Sequence, residues 1–263
     1  MKGISLQTVI ASEKSSLLLL KLDESPQNFD KLLVSLKTNK KQLLSNIGLL
    51  EQYYLITEEN GIYRLTCIGK LIAEKLKPLL RMEEFMNSAD GYWRNRKLDF
   101  IPPPLLKRLH EIGPCTVVQP HFTEIYDYNK EAHEISKCSK SFNMVAAGLH
   151  PSFPDLFSDL IDGGVNLSLI FDGYLFDKLK RDNYDELQKF LNNRQVALHL
   201  YPQKMQFLSF KVNDSCLVLK LLNDNGEYDH RQLMCHSPNA VEWGKDLFDY
   251  YIKDSTVITS ILI

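Results

Sequence analysis

Thr38-Asn39-Lys40-Lys41-Gln42-Leu43-Leu44-Ser45-Asn46-Ile47-Gly48-Leu49-Leu50, followed by Leu55-Ile56-Thr57-Glu58-Glu59-Asn60-Gly61-Ile62-Tyr63-Arg64-Leu65, is the stretch on which the fold of this chain turns. Thr38 or Asn39 can cap a helix. Leu43, Leu44, Ile47, Leu50 and Tyr54 fall at helical spacing and predict its buried stripe, while Lys41, Gln42, Ser45 and Asn46 share the outer face. The next segment is two short apolar-alternating runs around Asn60-Gly61, the strongest short-range signal for a hairpin, because both turn residues need positive φ.

Working outward, Ser12 or Ser15 can cap an earlier helix carrying Leu17 to Leu20 and Leu22, which the Ser25-Pro26 turn ends. A second helix follows Asn28, with Phe29, Leu32, Leu33 and Leu36 on one side. After the hairpin, Thr66 can cap a fourth helix with Ile68, Leu71, Ile72, Leu76, Leu79 and Leu80, which Pro78 is expected to kink or end early. Three helices, a hairpin and a closing helix spell a winged helix-turn-helix over residues 1–80. In that arrangement the second helix braces the third, whose polar face enters a major groove of double-stranded DNA while the hairpin reaches the backbone. Lys40 and Lys41 offer charge to phosphates, and Gln42 and Asn46 carry amides able to bond base edges. The expected DNA-binding residues are therefore Thr38, Asn39, Lys40, Lys41, Gln42, Ser45 and Asn46, with Asn60 and Arg64 on the wing.

From Arg81 the pattern loosens, and Pro102-Pro103-Pro104 cannot be helix interior, so residues 81–104 are expected to be a helical linker. Beyond it strands and helices alternate. Strands are expected at Thr116–Val118, Asn143–Leu149, Val165–Phe171, Val196–Tyr201, Phe207–Val212 and Cys216–Leu222. Helices are expected at Phe153–Ile161, Leu175–Leu179 and Tyr184–Leu191, and a last one runs from Pro238 or Asn239 through Trp243, Phe248 and Tyr251. Residues 105–263 thus form an α/β sheet domain with helical cover, and the whole chain is of mixed α+β and α/β class.

The composition adds exclusions. With 263 residues, 31 Lys and Arg against 33 Asp and Glu, and 44% hydrophobic residues, the chain has room for two domains and an ordinary globular balance. Residues 1–80 hold 11 basic and 8 acidic side chains and the remainder 20 and 25, so the head is mildly basic and the body mildly acidic. No apolar run approaches the ~20 residues of a membrane span, and Met1-Lys2-Gly3 does not open a signal peptide, so no membrane partner and a cytoplasmic location are expected. The cysteines Cys67, Cys115, Cys138, Cys216 and Cys235 are scattered and never form C-x-x-C, which predicts free thiols and no metal.

Three blocks carry a family resemblance: Tyr63-Arg64-Leu65-Thr66-Cys67-Ile68-Gly69-Lys70, His150-Pro151-Ser152-Phe153-Pro154, and Trp243-Gly244-Lys245-Asp246-Leu247-Phe248-Asp249-Tyr250-Tyr251. With Tyr92-Trp93 before the prolines and Tyr228-Asp229-His230 before the last helix, the chain resembles the winged-helix transcriptional regulators of methanogenic archaea that carry the Fil-type methanogenesis-regulatory domain, from about Ser12 to Asp254. The resemblance implies sequence-specific DNA binding that regulates transcription and responds to a small signal. Cys67 and the Tyr53-Tyr54 pair, where such proteins often have Gly, depart from it, as does the apolar tail Val257–Ile263, read as an extra strand or a dimer contact.

A weaker, purely architectural resemblance links Asn143–Phe171 to half of a phospholipase-D-like sheet, which would make the body a degenerate enzyme fold used as a sensor. The chemistry of that fold needs His-x-Lys, and no histidine here has Lys two residues on. Walker, G-x-G-x-x-G, G-x-S-x-G and H-E-x-x-H motifs are missing too, so neither enzyme activity nor a cofactor is expected. Strand-end polar residues are the candidates for an effector pocket: His150, Asp172 and Tyr201, with Tyr228 and His230 before the last helix. A single recognition helix reads few base pairs, and the surplus apolar positions between Ile68 and Met86 suit a homodimer. The other reading is a protein-interaction module that uses the winged helix for partner proteins.

Overall fold

A computed structural model describes residues 12–260 of the chain, which separates into two compact units, Met1–Glu83 and Glu84–Ile263. The readings at Met1-Lys2-Gly3 and at residues 261–263 lie outside the described part.

In the first unit the caps organise the backbone. Ser12 accepts from the Ser15 amide to start helix α1 (Glu13–Glu24), Asn28 accepts from Lys31 to start α2 (Phe29–Ser35), and Asn39 accepts from Gln42 to start α3 (Lys40–Gln52). Each side-chain oxygen satisfies one amide that the first helical turn leaves unpaired. Strands β2 (Ile56–Glu59) and β3 (Ile62–Leu65) pair antiparallel across Asn60 and Gly61, both at positive φ, and the two-residue strand β1 (Gln27–Asn28) adds to the far side of β3. Helix α4 (Cys67–Asn87) follows, with the Thr66 hydroxyl accepting from the Gly69 amide. Leu18, Leu32, Leu43, Leu50 and Leu55 are fully or almost fully buried and form the centre of this unit.

Three local expectations change. Tyr54 is 76% exposed rather than part of the buried stripe, because the chain reverses from α3 into β2 through Tyr54 at φ 54°, which turns the side chain outward. It occupies the left-handed conformation that glycine would take most easily. Leu44 also faces solvent, since the stripe of α3 is narrower than its apolar positions. Pro78 neither ends nor interrupts α4, which runs nine residues past it; Pro78 is exposed, so water can reach the Glu74 carbonyl that loses its partner.

The second unit is built on one eight-stranded sheet in the order β11-β7-β6-β5-β8-β9-β10-β4. In chain order it contains α5 (Pro103–Leu106), β4 (Thr116–Val118), α6 (Lys130–Lys137), β5 (Ser141–Ala146), α7 (Phe153–Asp162), β6 (Asn166–Asp172), α8 (Gly173–Asp182), α9 (Tyr184–Leu191), β7 (Val196–Tyr201), β8 (Ser209–Asn213), β9 (Leu217–Lys220), β10 (Gln232–Cys235), α10 (Pro238–Lys253) and β11 (Thr256–Val257). β5, β6 and β7 are parallel and joined through helices, and every other pairing is antiparallel. Phe210, Val212, Leu217 and Leu219 are buried, and α10 packs so closely that a Cβ on Gly244 would lie 2.8 Å from Leu217 and 3.1 Å from Val212.

Residues 84–104 are not a linker. Phe85, Tyr92, Trp93, Phe100 and Ile101 are buried, and the Arg96 amide region pairs with Asn223, so this segment is part of the second unit. Strand β10 and helix α6 had no counterpart in the sequence reading. The tail contributes β11, which pairs with β7 and caps the sheet edge. Cys115 and Cys235, expected as free thiols, form a disulfide between neighbouring strands at a sequence separation of 120 residues. Their adjacency comes from the β10–β4 register, which sequence spacing cannot reveal. Among the described residues no helix is long and apolar enough to cross a membrane.

Two predictions follow from these contacts. A Cβ at Gly69 would land on the Leu55 carbonyl oxygen, so Gly69→Ala should destabilise the first unit by about 1–3 kcal/mol, read by denaturant melts. Unfolded without reductant, the chain should titrate three thiols, Cys67, Cys138 and Cys216, and five after reduction.

Candidate functional site

In the first unit, α3 presents Lys40, Lys41, Gln42 and Ser45 on its exposed face, and among the described residues neither lysine has an ion-pair partner. Asn39 is spent on the cap, and Thr38 donates its hydroxyl to the Gln42 side-chain carbonyl at 3.0 Å, which fixes that amide. Asn46 departs from expectation: it is half-buried, and its Oδ1 accepts from the Ser15 hydroxyl at 3.3 Å, bracing α1 rather than standing free. On the hairpin, Asn60 forms the tip, and Arg64 is paired with Glu59 at 3.1 Å, so part of its charge is neutralised.

The second unit contains a cavity of about 300 Å³ on the sheet face opposite α10, within the range of small-molecule sites. Its floor follows from strand alternation. Phe142 and Met144 of β5, Ser209 and Lys211 of β8, Val218 and Lys220 of β9, and Gln232 of β10 lie on one face, while the residues between them turn toward α10. The roof is the segment Ile125–Asn129, His133 of α6, the loop Gly148–Pro151, and Phe153, Leu156, Phe157 and Leu160 of α7. Tyr228 and His230 close one side.

The roof is held by polar latches. His150 Nε2 donates to the Tyr126 carbonyl at 2.8 Å, and its Nδ1 accepts from the Ser152 amide at 3.1 Å, so both ring nitrogens are committed and the tautomer follows from these partners. His133 Nε2 meets Asp159 at 3.2 Å, tying α6 to α7. Arg96 has a wholly buried side chain that donates to Asp229 at 2.6 Å and to the carbonyls of Tyr92 and Leu221, while stacking on the Tyr92 ring at 4.0 Å. Arg231 reaches the same carboxylate at 2.8 Å. Burial pushes the Asp229 carboxyl up, yet the hydrogen bonds from Arg96 and Arg231 outweigh it and hold it below its ordinary value. Clamped Asp229 thereby sets its neighbours Tyr228 and His230, the latter at φ 62°, with their rings 5.2 Å apart at the cavity wall.

The two floor lysines are the unusual feature. Lys211 and Lys220 are half-buried and line the cavity, and among the described residues neither ammonium has a hydrogen-bonded or ion-paired partner. The Lys211 pKa is lowered to about 8, chiefly by burial and also by the neighbouring Lys220, with the nearby Cys216 offsetting this in part. Burial lowers Lys220 as well. Among the described residues Lys211 has the Phe142 ring beneath its ammonium, 5.7 Å away.

Of the expected effector residues, His150, Tyr228 and His230 meet around this cavity, and Asp172 and Tyr201 do not. Asp172 is the cap of α8, accepting from the Leu175 amide at 2.9 Å, and Tyr201 packs edge-on against Tyr251 at 5.0 Å. Both strands end away from the cavity, so the strand-end rule chose the right kind of place on the wrong strands. Lys211, Lys220 and Arg96 were missed. The available signal was a lysine at alternate positions of otherwise apolar inner strands, which reads in sequence as an outward face.

Residues 125–254 match the family described as the methanogenesis regulatory protein FilR1, middle domain. The methanogenesis regulatory protein FilR1 of Methanothrix harundinacea (strain 6Ac) is 26% identical over 208 residues, covering 77% of this chain and 46% of that protein, so the chain spans about half the length of this relative. Among solved structures, the archaeal chromatin protein TrmBL2 aligns over 95% of this chain and 94% of its own at 14% identity with a TM-score of 0.45. Nuc, a phospholipase D family member from Salmonella typhimurium, aligns over 49% of this chain and 90% of its own at 13% identity with a TM-score of 0.37. The matched segment runs from the cavity roof at Ile125 through the floor strands to the end of α10, so the part of this chain that is similar to the FilR1 middle domain holds every cavity-lining residue but Pro120.

Proposed function

We propose that this chain is a sequence-specific DNA-binding transcriptional regulator, acting as a homodimer in the cytoplasm, with residues 125–254 as the part that senses a small molecule. The observation that carries the first part is the face of α3, where Lys40, Lys41, Gln42 and Ser45 are exposed and the lysines are unneutralised. Unpaired ammonium groups beside an exposed amide are what phosphate contact plus base reading requires. The relationship of residues 125–254 to a methanogenesis regulatory protein supports a regulatory role. The latched cavity supports sensing, since a ligand there would touch α6, α7 and the Tyr228–His230 wall together. For the homodimer, support comes from α4, where Ile68, Leu71 and Leu79 are 56%, 60% and 65% exposed on a helix whose buried side holds Ala73 and Leu76.

A second reading, recognition of a partner protein by the first unit, draws on the wing, where exposed Glu58 and Glu59 stand beside an Arg64 already paired. Acidic side chains there would repel a phosphate backbone.

Salt separates the two. DNA binding through phosphates should fall by roughly 0.9 log units of affinity per log unit of salt for each phosphate neutralised, whereas an apolar protein interface should be nearly salt-independent. With upstream and scrambled duplexes of equal length, Lys41→Ala should weaken binding to both and reduce the salt slope by about one, and Gln42→Ala should narrow the gap between them. Asn46→Ala should lower the melting temperature more than it alters base choice, because its amide braces α1. Equal affinity for both duplexes at every salt concentration would remove the regulator reading. Sedimentation of a micromolar sample as a monomer, with or without DNA, would remove the homodimer.

A further inference from the structure

Two ammonium groups on the floor of an apolar cavity need an explanation. Lys211 on β8 and Lys220 on β9 project from adjacent strands onto the same face, opposite Val218 and Ser209 respectively. A charged amine beside Phe142, Met144 and Val218 is poorly solvated, and two of them repel each other. A structural lysine avoids this cost by pairing with a carboxylate, yet among the described lining residues the one carboxylate is Asp127, which is exposed and bonded to neither. Unpaired cations of this kind are kept where an anion arrives to pair with them.

We infer that the cavity binds an organic anion, whose carboxylate or phosphate head sits on Lys211 and Lys220 and whose apolar body lies against α7. This rests on the reading of residues 125–254 as a sensor and names the chemistry of what it senses. Polar groups beside the lysines fit the head: the Ser209 hydroxyl and the Gln232 amide lie on the same floor, and the Tyr228 hydroxyl flanks it, each able to donate to anionic oxygens. The α7 side offers no donors of that kind, since Phe153, Leu156, Phe157 and Leu160 are aromatic or aliphatic. A site polar at one end and apolar at the other, about 300 Å³ in volume, takes a small amphipathic acid rather than a sugar or a free inorganic ion. Binding would consume the mutual repulsion of the lysines and press on the roof held by His150 and His133.

Titration calorimetry on the full chain tests this with hexanoate, 3-phenylpropionate and hexyl phosphate against the matched neutral probes 1-hexanol and 3-phenylpropan-1-ol, and against inorganic phosphate. At least one amphipathic acid should bind at least tenfold more tightly than its alcohol, with inorganic phosphate weaker still. Comparison of hexanoate with hexyl phosphate identifies the head. Lys211→Met and Lys220→Met should each weaken the acid by about tenfold or more and leave the alcohol unchanged. Both variants should melt no lower than the parent without ligand, since each removes an unpaired charge, so a loss of binding cannot be assigned to misfolding.

Alcohols that bind as tightly as the acids, or acids indifferent to both substitutions, would overturn the anion assignment while leaving a sensor of neutral ligands. Failure of every probe to bind would overturn the anion assignment and the sensor reading together. DNA affinity plays no part in this measurement, so the fate of the DNA-binding reading is decided separately.

Discussion

Strands β8 and β9 lie at the middle of the large sheet, and their two faces have opposite tasks. Because side chains alternate along a strand, Phe210, Val212, Leu217 and Leu219 turn to one side and Ser209, Lys211, Val218 and Lys220 to the other. The first set meets α10 at a distance that only Gly244 allows, which closes that side and fixes the register of both strands. A slip of one residue in both strands would drive two ammonium groups into the α10 interface and turn Phe210, Val212, Leu217 and Leu219 away from it, a costly exchange. The cavity is therefore a by-product of the helix contact on the opposite side: once α10 is seated, the lysines can point only toward the roof.

The polar latches then determine how firmly the roof and the side wall sit. Arg96 is the deepest of these, with its guanidinium shared among Asp229 and two backbone carbonyls and its plane over Tyr92. A guanidinium so placed is well compensated, unlike Lys211 and Lys220, and the contrast between a satisfied and an unsatisfied cation within one unit marks which of them is structural. It also explains why residues 84–104 pack rather than hang loose: the chain must bring Arg96 and Tyr92 to the segment around Asp229.

The head of the chain was the most legible part of the sequence, since its signals are local. The Ser12, Asn28 and Asn39 caps, the Asn60-Gly61 turn and the Leu43–Ile47–Leu50 stripe each depend on residues within a few positions of one another. Tyr54 failed because the conformation of one turn residue outweighed its apolar character. In the body the strands were largely readable, yet what faces what was not. The alternation that places Lys211 and Lys220 on one face of their strands does not say that α6 and α7 cover that face, and Asp172 and Tyr201 looked like site residues until their strands proved to end elsewhere. The pairing of Cys115 with Cys235 was wholly hidden, because it depends on a strand, β10, that four residues of sequence do not announce.

That disulfide has a topological meaning. Every residue lining the cavity, from Pro120 to Gln232, lies between the two linked cysteines. Floor, roof and side wall are thus segments of one closed covalent ring, while Arg96 and α10 grip the ring from outside it. A single cut in the roof would open the ring without releasing a fragment, so the lysines and the roof would stay at high effective concentration toward each other.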